Sequence, residues 1–327
     1  MRRETVFDLA VLSALPVAVL VGLLAGETFV MTVAARAAIL AIAGMGLNLA
    51  LGFGGMVSFG HAAFFGIGGY AAGILAVHAR NGVPLIDGPL AVAGTTSLPA
   101  IWIVAAVVAA LAAVPIGMLS LRTGGVYFIM ITLAFAQMLY YFAISWPSYG
   151  GEDGLSFYVR NELAGMNTMD PLVFFAIAFA VLLVVFAASR IVVRSNFGLV
   201  LDVARQNAQR LSAVGIGPFR VRLTAFVISA AVTGLAGALY ADLNRFVSPS
   251  MLSWHTSGEI MVLVILGGVG RLSGPVAGAC VFVLLEQVLG SFTEYWQIFL
   301  GIGLLAVVLF ARGGVAGLVA GRRPGDA

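Results

Sequence analysis

Ten apolar runs joined by short polar connections take up almost the whole 327-residue chain, and this spacing constrains its fold more than any other feature. They lie at about 8–25, 30–51, 56–77, 99–119, 126–146, 171–189, 223–242, 259–270, 275–289 and 296–310. A helix crosses the hydrocarbon layer with about 20 residues and satisfies every backbone N–H and C=O internally, which a lone strand cannot do. The pattern therefore predicts an all-α polytopic membrane protein of about ten transmembrane helices, range eight to ten, in one transmembrane domain over residues 1–327. Composition agrees: 61% hydrophobic and 9% charged residues are too few charges to cover a water-facing surface. The run after Arg2, Arg3 and Glu4 is long and lacks a small-residue cleavage site, so it reads as a retained first helix rather than a signal peptide.

Several chemistries are excluded on residue type. Cys280 is the single cysteine and lies in an apolar run, so there is no disulfide framework or CxxC site, and it reads as a packing residue. All 17 basic residues are arginine, and a P-loop needs its lysine, so any ATP that drives this protein binds another chain. The net charge of +3 does not indicate nucleic acid, because the arginines cluster between the spans. The segment at about 190–222 holds Arg190, Arg194, Arg205, Arg210, Arg220 and Arg222 against Asp202 alone, and is read as cytoplasmic. The segment at about 148–170 holds Glu152, Asp153, Glu162 and Asp170 against Arg160 alone, and is read as periplasmic. Ten spans with both termini cytoplasmic also put Arg122, Arg271, Arg312, Arg322 and Arg323 inside.

Each half of the chain contains a glycine-interrupted pair of apolar segments, near Gly52 and near Gly267, where a re-entrant or broken helix would alter the count. Paired interruptions mark substrate pathways in transporters with internal repeats, although no residue-level repeat is visible here. The first interruption, GMGLNLALGFGGMVSFGHAAFFGIGGY over Gly44 to Tyr70, puts Asn48, Ser58 and His61 at membrane depth beside Gly54 and Gly55. Two readings stand side by side: a substrate pathway through these five residues, or close helix packing with Asn48 as interhelical glue.

The same stretch resembles the first signature of the branched-chain amino acid ABC transporter permease family, the membrane subunit of the M type. That pattern runs approximately L-N-L-x-x-G-x-x-G-x-x-S-x-G-H-x-A-F-x-x-x-G-A-Y, and Gly69 stands here for its Ala. LRTGGVYFIMITLAFAQ (Leu121 to Gln137) resembles a second block, with Gln137 for the usual Glu, and GGEDGL (Gly150 to Leu155) an outer loop. SNFGLVLDVARQNAQRLSAVGI (Ser195 to Ile216) is similar to the family's coupling segment through Gly198, Arg205, Asn207, Gly215 and Ile216. Its apolar positions Leu199, Val200, Val203, Ala204 and Leu211 can share one helical face. RLTAFVISAAVTGLAGALY (Arg222 to Tyr240) and the block Val247 to Ala279 complete the resemblance. They bring Gly234, Gly237, Gly267, Gly268, Gly274 and Pro275 to helix contacts.

The resemblance implies a non-enzymatic transport subunit of the bacterial inner membrane. It implies a second, homologous permease, two cytoplasmic ATPases that carry the ATP and Mg, and a periplasmic solute-binding protein. The chain itself is expected to hold no cofactor and no metal. Branched-chain amino acids are the expected solute, with urea, short amides or aromatic acids as alternatives, along a path lined by small and apolar residues. The rival is an ion-coupled secondary transporter, which should carry more buried acids or histidines than Glu259 and Glu286. Arg36 could meet a substrate carboxylate but is expected to snorkel or to pair between helices, Glu259 to face a helix N-terminal dipole rather than a substrate, and His61 to be structural rather than a proton carrier.

Overall fold

A computed structural model describes residues 2–84, 93–163, 165–292, 295–310 and 313–320. Arg312, Arg322 and Arg323 of the orientation argument lie outside the described residues. Every apolar run contains a helix. Helices α1 (Arg2–Ala25) and α2 (Thr28–Asn48) form a tight hairpin, followed by α3 (His61–Asn81), α4 (Leu98–Ser120), α5 (Val126–Ile144) and α6 (Pro171–Arg194). Two short helices, α7 (Asn196–Gln206) and α8 (Ala208–Ala213), precede α9 (Pro218–Asn244), α10 (Trp254–Gly267), α11 (Gly274–Phe292), α12 (Trp296–Phe310) and α13 (Gly314–Ala320).

Among the described residues, 8 helices are long and apolar enough to cross a membrane: α1 to α6, α9 and α11, the second extended by the turn that follows it. The two remaining apolar helices, α10 with 14 residues and α12 with 15, fall short. At 1.5 Å per residue they reach about 21 and 22 Å, against a hydrocarbon layer of about 30 Å. The span count thus sits at the lower end of the expected range.

The bundle has two chemically distinct ends. Arg205 donates to the carbonyl of Gly52 (3.0 Å), and Arg271 donates to that of Ala316 in α13 (2.9 Å). Phe7 packs on Ala277 and Ala316, so the start of α1, the start of α11 and α13 share this basic end with the arginine-rich segment. At the opposite, acidic end a two-stranded ribbon joins β1 (Leu155–Ser156) to β2 (Phe246–Val247), antiparallel, with Leu155 opposite Val247. The loop over 148–170 is fixed there by its arginine. Arg160 donates to the carbonyls of Thr168 (2.9 Å), Asp242 and Leu243 (both 3.2 Å), capping the C-terminal end of α9, and lies 4.3 Å from the centre of the Phe174 ring. Asn161 donates to the buried carboxylate of Asp242 at 2.6 Å.

The core is built around α2, more than half of whose buried positions are alanine or glycine, so α6, α9, α10 and α11 can all pack closely on it. Small residues also set the crossing of α3 and α9: a Cβ at Gly68 would strike the Gly234 backbone, and one at Gly237 the carbonyl of Phe65. Lipid tails are as apolar as leucine, so this close backbone approach supplies the packing that holds helices together in a bilayer.

Three element boundaries differ from expectation. The helix expected from Met56 starts at His61, because the chain leaves α2 through a π-turn (Leu49–Phe53) and stays irregular over 54–60. The helix expected from Glu259 starts at Trp254, since Ser253 caps it by accepting from the His255 N–H. The expected single amphipathic helix is two, because Asn207 takes an extended conformation and its side chain caps α8 through the Arg210 N–H (3.0 Å).

Candidate functional site

The two helix breaks meet at the basic end. Asn48, 2% exposed, accepts from the Gly270 N–H through Oδ1 (2.9 Å) and donates to the Arg271 carbonyl through Nδ2 (2.8 Å). One amide side chain on α2 thus holds the turn between α10 and α11. A π-turn widens the helix by one residue and leaves carbonyls without intrahelical partners. The carbonyl of Gly52 receives the Arg205 guanidinium of α7, while Asp202 pairs with the same guanidinium at 3.0 Å. Gly55 sits at φ +67, and a side chain there would run into the aliphatic stem of Arg205, 2.7 Å from its Cγ. Gly54 faces the Ala50 carbonyl and the Met56 methyl.

A second polar layer lies deeper. The irregular segment returns into the bundle, and α3 begins where His61 Nε2 meets Ser229 Oγ at 2.7 Å, eleven residues into α9. Ser229 in turn donates to the Gly46 carbonyl (2.5 Å), so its hydroxyl accepts from His61, which fixes the imidazole with its proton on Nε2. Edge-to-face contacts with Phe64 and Phe226 surround the ring. Ser58 Oγ accepts from the Gly60 N–H (3.1 Å). Ser257 of α10 donates to the Phe59 carbonyl (2.6 Å) and accepts from the Ala62 N–H (2.9 Å), closing the start of α3. From the acidic end, residues after β2 descend beside α3, with Met251 against Gly69 and Leu252 against Gly66. Irregular backbone thus enters the bundle from both ends and is satisfied by serine side chains, the condition for tolerating it at membrane depth.

The five residues of the first signature fall in two polar layers. Asn48, Gly54 and Gly55 belong to the basic-end junction, whereas Ser58 and His61 belong to the deeper layer. Gly198 lets α7 fold back on the last carbonyls of α6, and Gly215 turns the chain at φ +85 before α9. Leu201, Ala204 and Leu211 form the inward face of α7 and α8, while Leu199, Val203, Val214 and Ile216 are exposed, so the expected single face splits: Ala204 and Leu211 point inward, Leu199 and Val203 outward. Gly234 abuts Ala109, and Gly267, Gly268 and Gly274 pack backbone to backbone in the second break, with Pro275 beside Gly44.

A family model described as the permease component of branched-chain amino acid transport systems matches residues 29–308, taking in both breaks and α7. The chain belongs to this family. The permease is 29% identical to the Escherichia coli protein named high-affinity branched-chain amino acid transport system permease protein LivM, over 83% of this chain and 66% of that protein. The Salmonella typhimurium protein of the same name is 28% identical over the same shares. A Methanocaldococcus jannaschii protein named probable branched-chain amino acid transport permease protein LivH is 22% identical over 45% of this chain and 49% of its own. The permease thus spans slightly under two thirds of the length of the first two relatives. No solved structure matches it.

Sequence reasoning did not single out Ser229, Ser257, Asn161 and Asp242 as polar anchors, since Ser229 looks like ordinary packing in an apolar run and the other three fall at or beyond the ends of the runs. Arg36 forms the interhelical pair that was one of its two expected states, at 2.9 Å from Glu286. Glu259 is corrected: it is the sixth residue of α10, past the first turn, and Ser253 does the capping. Asn48→Ala is expected to lower resistance of the permease to unfolding in detergent by about 2 kcal/mol or more, since the buried Gly270 N–H and Arg271 carbonyl each lose a bond. An SDS titration of wild type and variant checks this.

Proposed function

We propose that this permease is the membrane-spanning subunit of an ATP-driven importer that carries branched-chain amino acids into the bacterial cytoplasm. The observation that carries the reading is the link from Arg205 on α7 to the Gly52 carbonyl in the broken helix, which joins a surface segment to backbone continuous with the core. The exposed apolar residues Leu199, Val203, Val214 and Ile216 give α7 and α8 a face suited to a groove on a cytoplasmic ATPase subunit. The basic end then faces the cytoplasm, with both termini, and the loop over 148–170 faces the periplasmic binding protein. A second, homologous permease completes the pathway, and two ATPases bind the ATP and Mg.

In this mechanism closure of the ATPases displaces α7. Arg205 passes the displacement to the π-turn, and the Asn48 clamp passes it to the turn between α10 and α11. Both broken helices move together, which opens one end of the pathway as the other closes. The test is uptake of labelled leucine into vesicles loaded with ATP and containing this chain with its partner permease, ATPases and binding protein. Uptake that requires ATP and survives an ionophore supports the reading; uptake that ignores ATP and collapses with the ionophore overturns it. Binding-protein-stimulated ATP turnover without leucine uptake moves the substrate to a short amide or an aromatic acid.

A further inference from the structure

The charged side chains between α2, α10 and α11 have a use that packing does not explain. Arg36 on α2 meets Glu286 on α11 through a single contact, Nη2 to Oε1 at 2.9 Å. Arg36 Nε and Glu286 Oε2 are both buried and have no hydrogen-bond partner among the described residues. An arginine and a carboxylate paired for structure in a low-dielectric setting frequently engage fork to fork, with two parallel bonds. Here each partner keeps one atom unspent.

Glu259 supplies the second observation. It lies close enough to Arg36 and Glu286 to interact electrostatically with both. It is also exposed, on the same side of α10 as His255 one turn before it, whereas Ser257, Ile260, Leu263 and Val264 of the helix are buried. Arg36 lies about 12 Å along α2 from the acidic-end start of that span. A carboxylate at such depth costs several kcal/mol against lipid, so the exposed face of α10 must look onto water or polar protein. One guanidinium thus faces two carboxyl groups, one more than the pair needs.

We propose that Arg36, Glu286 and Glu259 form a station on the solute path that receives the two charged ends of a free amino acid. The idle guanidinium N–H takes the α-carboxylate, while Glu259 and the free oxygen of Glu286 take the α-ammonium group. A zwitterion meets both kinds of group at once, its carboxylate on the guanidinium and its ammonium group on the carboxylate oxygens, and leaves the net charge of the site unchanged. The path is then not lined solely by small and apolar residues. This proposal rests on the amino-acid reading above.

The test uses the whole complex in proteoliposomes and compares wild type with Glu259→Gln and Arg36→Gln. Leucine taken up per ATP hydrolysed is expected to fall by about tenfold or more, with binding-protein-stimulated hydrolysis kept within about twofold. Wild-type uptake with both variants unchanged overturns the station and leaves the importer reading standing. A wild-type complex that moves no amino acid overturns both. A second measurement does not depend on how the variants transport: in a Cys280→Ala background, Glu259→Cys should react with a membrane-impermeant thiol reagent about tenfold faster than Leu111→Cys, on the exposed side of α4. Equal or slower reaction at position 259 puts that face against lipid or protein and overturns the proposal.

Discussion

Gly237→Leu is expected to reduce the folded permease recovered from membranes by more than about tenfold, because the α3–α9 crossing has no room for it. A Cβ at this position would strike the Phe65 carbonyl, and Gly68 meets Gly234 in the same backbone-to-backbone manner. Overpacking against a side chain costs about 1–3 kcal/mol because the neighbour can change rotamer. A carbonyl inside a helix has no such freedom, so α3 and α9 must separate along the whole contact. Their separation also pulls His61 from Ser229, and the strain reaches the Ser257 bonds that close the start of α3. The comparison variant is Gly290→Leu on α11, where nothing lies within 4 Å of a built Cβ. Size-exclusion profiles of the solubilised proteins separate the two, and equal recovery would show that the crossing is looser than its backbone contacts imply.

Much of this architecture is legible in the sequence, for an identifiable reason. In lipid the backbone must satisfy itself, so each apolar run announces a helix, and the arginines at 122, 205 and 271 fall at one end of the bundle. Where the prediction departs from the structure, a local polar contact decides. The start of α10 depends on Ser253 acting as a cap, and the break in the coupling segment on Asn207 capping α8. Ser253 is not distinguishable in the sequence from other serines nearby, and the resemblance marks Asn207 as part of the coupling segment without marking it as a cap. The glycines near 52 and 267 marked both breaks, but their meeting depends on Asn48, whose partners lie 222 and 223 residues away. Pattern reading places residues along an element; it does not pair elements that distant.

Arg205→Glu should leave the permease folded and cut ATP-dependent solute uptake by more than about tenfold. The side chain of Arg205 is 45% exposed and that of its partner Asp202 equally so, so their ion pair contributes little to stability. What the variant removes is the donor to the Gly52 carbonyl; it sets a carboxylate against that carbonyl and beside Asp202. The break in α2 then loses its connection to α7, while Leu201 and Ala204 still hold α7 on the bundle. Arg205→Lys keeps the positive charge and a donor but not the planar fork, so it should retain an intermediate rate. Asp202→Ala should stay close to wild type, because the Gly52 contact survives. This ordering, Asp202→Ala above Arg205→Lys above Arg205→Glu, distinguishes a transmitted displacement from a general effect of surface charge. If charge alone mattered, Asp202→Ala and Arg205→Glu, which alter the net charge in opposite directions, should shift uptake oppositely and Arg205→Lys should have no effect. Measured alongside ATP hydrolysis by the assembled complex, a variant that hydrolyses without transport would locate the break in coupling at the Arg205–Gly52 contact.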